Sequence, residues 1–358
     1  MYPRIVTDLE KLKHNVERVV TLCHGAGASC AIVTKCVCAD ALVAAVIEKS
    51  GADYIADSRL QNLASLKTRK PRYLLRVAQP CEAAQVVAHS EVSQQSEIST
   101  VRLLGAQAKR QARRHKIVLM LDMGDLREGV FCRDRAEILA LAKAVACEDM
   151  LELHGVGVNL TCFGGILPDA DNLGGLVEIA EWLRAETKLP IPLVSGGNSS
   201  TLPMLLAGKL PSGVNGLRIG EGYLLGNETA SGTRMEGFHP DCFTLEAQLV
   251  EVKRKPSKPI GRSGPNAFGE YVSFEDRGEM LRGILAVGRQ DVVPDGLAPR
   301  GAGVDILGAS SDHLIVDLTR AGEQYRVGDV LSFTPDYGAL LRAFTSAYVE
   351  KAYTGDEC

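Results

Sequence analysis

A lysine, two arginines and two glycine-and-hydroxyl turns stand where apolar, β-prone runs give way to polar residues. Lys35 follows Ala31, Ile32 and Val33, and Asp122-Met-Gly124-Asp125-Leu-Arg127-Glu128-Gly129 follows the run KIVLML. Asn159 closes ELHGVGVN, Ser195-Gly-Gly-Asn198-Ser199-Ser200 closes IPLV, and Arg218-Ile-Gly220-Glu221-Gly222 closes NGL. An amine held against apolar neighbours loses solvation, which favours its neutral, nucleophilic form. That form condenses with an aldehyde to give an imine. SGGNSS leads into the helical stretch TLPMLLAG, so its backbone N–H groups and the Ser199 hydroxyl can hold a phosphate. Arg218 carries a permanent charge on a rigid donor, suited to the nitrogen of a pyridine ring, and Arg127 suits a phenolic or carboxylate oxygen. Together these groups fit a phosphorylated, electron-accepting cofactor held through an imine.

Each residue also has a plainer reading. A lone strand-end lysine snorkels to solvent, Ser and Gly make turns and helix caps, a strand-end arginine joins a salt bridge, and Arg127 sits in a solvated turn. Their common position is what favours chemistry. Strands are expected at 30–35, 53–56, 72–77, 91–97, 116–122, 152–159, 191–197 and 215–220, with helices such as ALVAAVIEKS, RAEILALAKAVA and LVEIAEWLRAETK between them. This alternation predicts an α/β (β/α)8 TIM-type barrel, whose active site gathers at the carboxyl ends of the strands. A doubly wound open sheet is the competitor, without a GxGxxG turn after the first strand to support it. Beyond residue 236 the texture changes. FTLEAQLVEVKR, MLRGILAVGRQDV, VDILGASSDHLIVDLT and DVLSFTP are separated by Gly- and Pro-rich turns, and a helix is expected in GALLRAFTSAYVEK. The expected organisation is therefore a barrel at 1–235 and a β-rich domain at 236–358.

The 358 residues carry 40 basic and 44 acidic side chains, a formal charge of -4, with no basic stripe, so nucleic acid is not an expected partner. Charges interrupt the N-terminal MYPRIVTDLEKLKHN where a signal peptide needs an apolar core, and no apolar run approaches a membrane span. Ten irregularly spaced cysteines read as reduced thiols. A cytoplasmic protein, without membrane association, is the expectation. Cys36 and Cys38 lack the second pair that a zinc site needs, and only His313 and Cys358 follow Cys242 as late metal-ligand types, so no metal is expected.

These segments, in this order, resemble the alanine racemase family of fold type III pyridoxal-phosphate enzymes. VTKCVCAD stands at the family's lysine segment, DMGDLREG fits Asp-x-Gly-x-x-Arg-x-Gly, GGNSS fits its Asn-Ser phosphate turn and LRIGEG its Arg-x-Gly segment. CFGGILP, KPSKPIG, NAFGEY, AVGRQDV, GASSDH and DYGALLRAFTSAY are similar to the ornithine racemase branch. The resemblance implies a pyridoxal 5'-phosphate enzyme that interconverts the L- and D-forms of a free amino acid. Ornithine or lysine leads among the substrates, with alanine or serine as the alternative. It also implies a head-to-tail homodimer, with each site lying between one barrel and the partner's β-domain. Lys35 would bind the cofactor covalently and act as one of two bases. Asn198, Ser199, Gly220 and Glu221 would form the phosphate cradle, with Tyr348 reaching it from near the C-terminus. Arg218 would face the ring nitrogen and Arg127 the phenolic oxygen. Two departures stand out. Cys36, Val37 and Cys38 replace an aromatic segment, and Phe268 in AFGEY replaces the tyrosine that the family uses as second base. Tyr271, three residues on, is the expected substitute, with Asp312 or His313 behind it. A distal substrate ammonium needs a carboxylate, for which Asp125, Glu128, Asp291 and Asp312 are candidates. A non-catalytic pyridoxal-phosphate-binding barrel is the rival, and the extra β-rich domain argues against it.

Overall fold

The computed structural model describes residues 1–355 and resolves into two compact units, residues 9–240 and residues 1–8 with 241–355. Cys358, weighed above as a metal ligand, lies outside the described residues. The first strand, β1 (Arg4–Asp8), belongs to the second unit. This differs from the expectation that the barrel starts at residue 1. β1 pairs with strands more than 240 residues downstream, at Arg4↔Glu246 and Arg4↔Glu350, and nothing local signals such pairing.

The barrel unit contains β2 (Ser29–Val33), β3 (Tyr54–Asp57), β4 (Arg72–Leu74), β5 (Val92–Gln95), β6 (His115–Asp122), β7 (Val130–Phe131), β8 (Leu151–Gly157), β9 (Leu193–Ser195) and β10 (Gly216–Ile219). Parallel pairing runs β5-β4-β3-β2-β10-β9-β8-β6, and β5 also pairs with β6, which closes the ring of eight strands. An open doubly wound sheet is thereby excluded. Helices cover the outside, and each strand is buried on both faces. This is why most of the strands read as continuous apolar runs instead of alternating ones, although β5 buries the polar Ser93, Gln94 and Gln95. β7 is a short addition beside the end of β6. Ala31, Val33, Ala56, Tyr73, Val92, Val118 and Leu193 form one packed cluster. The connecting helices start where side chains can cap them. Asp40 accepts from Leu42 and Val43 N–H, and Asp169 with Asn172 forms a reciprocal capping box.

The second unit is antiparallel apart from one pairing. β11 (Phe243–Pro256), β12 (Glu279–Leu285), β13 (Leu297–Pro299), β14 (Asp305–Ala309), β15 (Leu314–Asp317) and β16 (Val330–Pro335) are ordered β13-β16-β11-β12-β15-β14. β1 joins β11 antiparallel and β17 (Glu350–Thr354) parallel. The run VDILGASSDHLIVDLT proves to be two strands of a hairpin, β14 and β15, turning at GASSDH. The expected C-terminal helix stops at Thr345, and YVEK leads into β17. Residues 257–278, which contain AFGEY, form neither helix nor strand.

Candidate active site

Lys35 opens a 3₁₀ turn, Lys35–Val37, two residues beyond β2. Thr34 fixes that turn. Its N–H donates to Ala56 O at 2.8 Å, its hydroxyl donates to Asp57 Oδ2 at 2.7 Å, and Val37 N–H returns to Thr34 O at 3.0 Å. Asp57 is fully buried and also accepts from Arg59 N–H and Asn62. From the short helix Glu221–Leu225 that follows β10, Tyr223 donates to Val33 O at 3.0 Å. The lysine turn and the strand end before it are thus held from a neighbouring strand by Asp57 and from a helix by Tyr223, which the sequence pattern did not single out. One expectation is corrected here. Ala31, Ile32 and Val33 are buried, but Lys35 lies past the pleat and is exposed, so apolar neighbours do not enclose its amine. Cys36 is buried, and burial pushes its thiol well above the usual range. It packs, and it is no nucleophile at neutral pH.

Arg218 lies on β10 level with Ala31 of β2 and is 3% exposed. Its Nη1 donates to Ser195 Oγ at 2.5 Å, and its Nη2 donates to Val158 O at 2.6 Å and Asn159 Oδ1 at 2.7 Å. Gln94, turned so that its amide nitrogen reaches Leu75 O, accepts from Nε at 3.3 Å. All of these acceptors are neutral. Burial pulls the guanidinium below its ordinary pKa, against the opposing pull of Tyr73 and Glu128. A cation buried without a directly bonded carboxylate is costly, which makes Arg218 a functional-site candidate.

The turns after β9 and β10 are stitched together by one hydroxyl. Ser199 Oγ accepts from Gly220 N–H at 3.2 Å and Gly222 N–H at 3.1 Å, which leaves its own proton to donate. A Cβ on Gly222 would stand 2.5 Å from Leu202 Cδ1, so a larger residue there would have to displace that side chain. Ser200 Oγ, beside it, is buried without a partner. Asn198 Oδ1 caps Ser200 N–H at 2.8 Å while its Nδ2 reaches Leu160 O, so Asn198 shapes the turn. The Glu221 side chain accepts from Asn227 at 2.9 Å, so that residue contributes to the mouth through its backbone.

Arg127 is exposed and donates to Glu128 through both Nε and Nη2, the latter at 2.6 Å. Burial opposes its charge, but the pairing with Glu128 outweighs this and raises its pKa. Glu128 also accepts from Asn159 Nδ2. Gly129, at φ +126°, is obligatory, because a Cβ there would meet Asp122 N at 2.6 Å. Asp125 is almost fully buried, and its carboxylate accepts from Cys162, Phe163 and Ile166 N–H at 2.9–3.2 Å. These bonds clamp the loop after β8 and remove Asp125 from the candidates for a substrate ammonium.

Lys35, Arg127, Asn198, Ser199, Arg218, Gly220 and Glu221 therefore share the barrel mouth. Tyr271, Asp291, Asp312 and Tyr348 belong to the β-unit. Tyr271 is 84% and Tyr348 74% exposed, and Asp312 is exposed with Gln290 and Ser311 as donors. Asp291 is buried and accepts from Ser346 at 2.7 Å, a bond internal to that unit. Phe268 lies under the Arg289 guanidinium, 4.5 Å from ring centroid to Cζ.

An exposed amine, a buried guanidinium and a serine-glycine turn thus stand on adjacent strand ends of a (β/α)8 barrel. Residues 7–226 match the family described as alanine racemase, N-terminal domain. The chain is 44% identical over 352 residues to an ornithine racemase from Acetoanaerobium sticklandii, covering 98% of this chain and 99% of that one. It is 35% identical over 356 residues to a lysine racemase from Thermotoga maritima, covering 99% of each. It superposes on the alanine racemase of Streptomyces coelicolor A3(2) with a TM-score of 0.78 at 18% identity, over 99% of this chain and 98% of that one, which shows a shared fold. The chain belongs to the alanine racemase family and is a racemase. Enzymes of this family generally depend on pyridoxal phosphate.

Proposed function

We propose that this enzyme racemises a free basic amino acid, ornithine first and lysine second, with pyridoxal 5'-phosphate held in the barrel mouth. The observation that carries the reading is Arg218, buried among neutral acceptors beside the strand that leads to Lys35. The likeness to the ornithine and lysine enzymes supports the substrate class. The residues present fit the cofactor. The Ser199 proton, turned outward by the Gly220 and Gly222 N–H groups that donate to its oxygen, suits a phosphate, the unpartnered Ser200 hydroxyl adds a polar group, Arg218 suits the ring nitrogen, and Arg127 suits the phenolic oxygen. Tyr348 of the β-unit would complete the phosphate cradle.

When bound, the cofactor would withdraw electrons from the substrate's α-carbon and make its proton removable. Lys35 would move that proton on one face, and a second acid/base group must act on the other. Tyr271, from the partner's β-unit in a head-to-tail homodimer, fills that role, with Asp312 and His313 as substitutes. Arg218, being a donor on every edge, disfavours protonation of the ring nitrogen and so limits side reactions such as transamination. Among the four carboxylates considered for the distal ammonium, Asp312 retains the most exposed side chain, whereas Asp125, Asp291 and Glu128 are engaged by their own units. The nine described cysteines are free thiols, which supports a cytoplasmic location. Among the described residues no helix is long and apolar enough to cross a membrane.

Incubation of the purified holoenzyme with L-ornithine, L-lysine, L-arginine, L-alanine and L-serine in deuterated water, followed by chiral analysis, tests the reading. Inverted product labelled at the α-carbon is expected first with ornithine, and borohydride should fix the cofactor on Lys35. Lys35→Ala should abolish turnover; a variant that still racemises would contradict the assignment.

A further inference from the structure

Two guanidiniums line the barrel mouth, and one carboxylate serves both. Glu128 accepts from Arg127 Nε and Nη2 directly. Its Oε1 also accepts from Asn159 Nδ2, while Asn159 Oδ1 accepts from Arg218 Nη2 at 2.7 Å. A side-chain amide has one donor end and one acceptor end. With Arg218 offering only donors and Glu128 only acceptors, the amide has a single satisfied orientation. The chain Arg127–Glu128–Asn159–Arg218 is therefore directional. It ties the exposed arginine to the buried one, and Glu128 also pulls against the loss of charge that burial imposes on Arg218. Because Glu128 occupies Nε and Nη2 of Arg127, it leaves Nη1 as the nitrogen available to a ligand.

We propose that Glu128 is a positioning residue, which sets the orientation of Arg127 and, through the Asn159 amide, of Arg218. This rests on the racemase reading above for its consequence, though the contacts themselves do not depend on it. The structure thus reassigns Glu128, considered above for the substrate's ammonium, to the ordering of the cofactor's two arginines. Its oxygens are already taken by one guanidinium and one amide of its own barrel.

The test uses Glu128→Gln, which keeps size and loses charge and one acceptor, and Asn159→Ala, which cuts the relay and leaves the Arg127 pair intact. In apoprotein, the Arg127 Nε–H resonance should exchange slowly in wild type and in Asn159→Ala, and fast in Glu128→Gln. In holoenzyme, both variants should shift the absorption band of the bound cofactor and lower kcat/KM by ~10- to 100-fold, the range for losing a hydrogen bond to a charged group. The fluorescence of Trp182, in the barrel helix Ala170–Thr187, should report an unchanged unfolding midpoint. A folded Glu128→Gln enzyme with the wild-type band and kcat/KM would overturn the proposal, as would an Arg127 resonance that stays protected. Should Glu128→Gln fail to fold, Asn159→Ala decides, because an unshifted band there breaks the link to Arg218. If the wild-type protein binds no pyridoxal phosphate, the functional reading fails, and the apoprotein resonances still decide the role of Glu128.

Discussion

Acid should weaken the barrel at one imidazole. His115, at the start of β6, is fully buried; its Nδ1 lies 3.2 Å from Ser90 O and its Nε2 lies 2.8 Å from Ser93 Oγ. The carbonyl can only accept, so Nδ1 carries the proton and Nε2 accepts from the Ser93 hydroxyl, which itself accepts from Gln95 at 3.0 Å. Protonating Nε2 would set two donors against each other in a dry site. Burial accordingly pushes the His115 pKa down to about 4 from 6.5. The fold favours the neutral ring, so the unfolded chain takes up the proton first as pH falls below 6.5. Stability is therefore lost from there down to about 4, where the folded protein also protonates. The loss across that window amounts to about 3 kcal/mol. Urea unfolding followed by Trp182, the sole tryptophan, reads the barrel unit alone. Carboxylates titrate in the same range, so the comparison is with His115→Gln, whose stability should decline less between pH 7 and pH 4 by this amount. Parallel curves for the two proteins, or an imidazole resonance titrating near 6.5, would refute the reasoning.

Further outcomes follow from the mouth and its supports. Ser199→Ala removes the acceptor for two backbone N–H groups and one outward donor, and should weaken pyridoxal-phosphate binding to the apoprotein by ~10-fold or more; titration by fluorescence quenching measures it, and unchanged affinity would count against the cradle. Asp57→Ala removes the shared acceptor of the Thr34 hydroxyl, Arg59 N–H and Asn62, leaving Thr34 only its longer 3.2 Å bond to Ala56 O, and should cost about 2–3 kcal/mol. The Trp182 unfolding curve reads that cost, and a loss below the scatter of surface substitutions would show that the turn before Lys35 is held by other means. Gly155→Ala would place a Cβ 2.4 Å from Leu193 O, between β8 and β9. The strands would have to part, at a cost of about 1–3 kcal/mol, and a crystal structure with the β8–β9 spacing intact would disprove the argument.

The barrel was legible because parallel strands buried on both faces leave mostly apolar runs; β5, with the buried polar sequence VSQQ, is the strand that such a run does not mark. The strand ends were legible too, since polar residues such as Arg218 and Ser195 follow directly on apolar ones. What stayed hidden depends on distance along the chain. β1 carries only the short run RIVTD, and its partners are near residues 246 and 350. Asp125 resembles any turn carboxylate until the loop at 162–166 folds back onto it. The support of the Lys35 turn by Asp57 and Tyr223 involves a strand and a helix that meet only when the ring closes. The exposure of Lys35 was misread for a local reason. The strand ends at Val33, and a 3₁₀ turn carries the next side chains out of the pleat.

The second base can be tested without disturbing the fold. Tyr271 is 84% exposed in residues 257–278, which form no helix or strand, so removing its hydroxyl should change stability by no more than ~0.5 kcal/mol. Any loss of racemisation in Tyr271→Phe then reports chemistry. If Lys35 serves one face and Tyr271 the other, the variant should still exchange the α-proton of one enantiomer with deuterated solvent and return it uninverted. The opposite enantiomer, whose proton faces the missing hydroxyl, should neither exchange nor invert. Full racemisation by the variant would eliminate Tyr271 and pass the role to Asp312 or His313. Equal loss of exchange from both enantiomers would show a residue needed to assemble the site and would end its assignment as a one-face base.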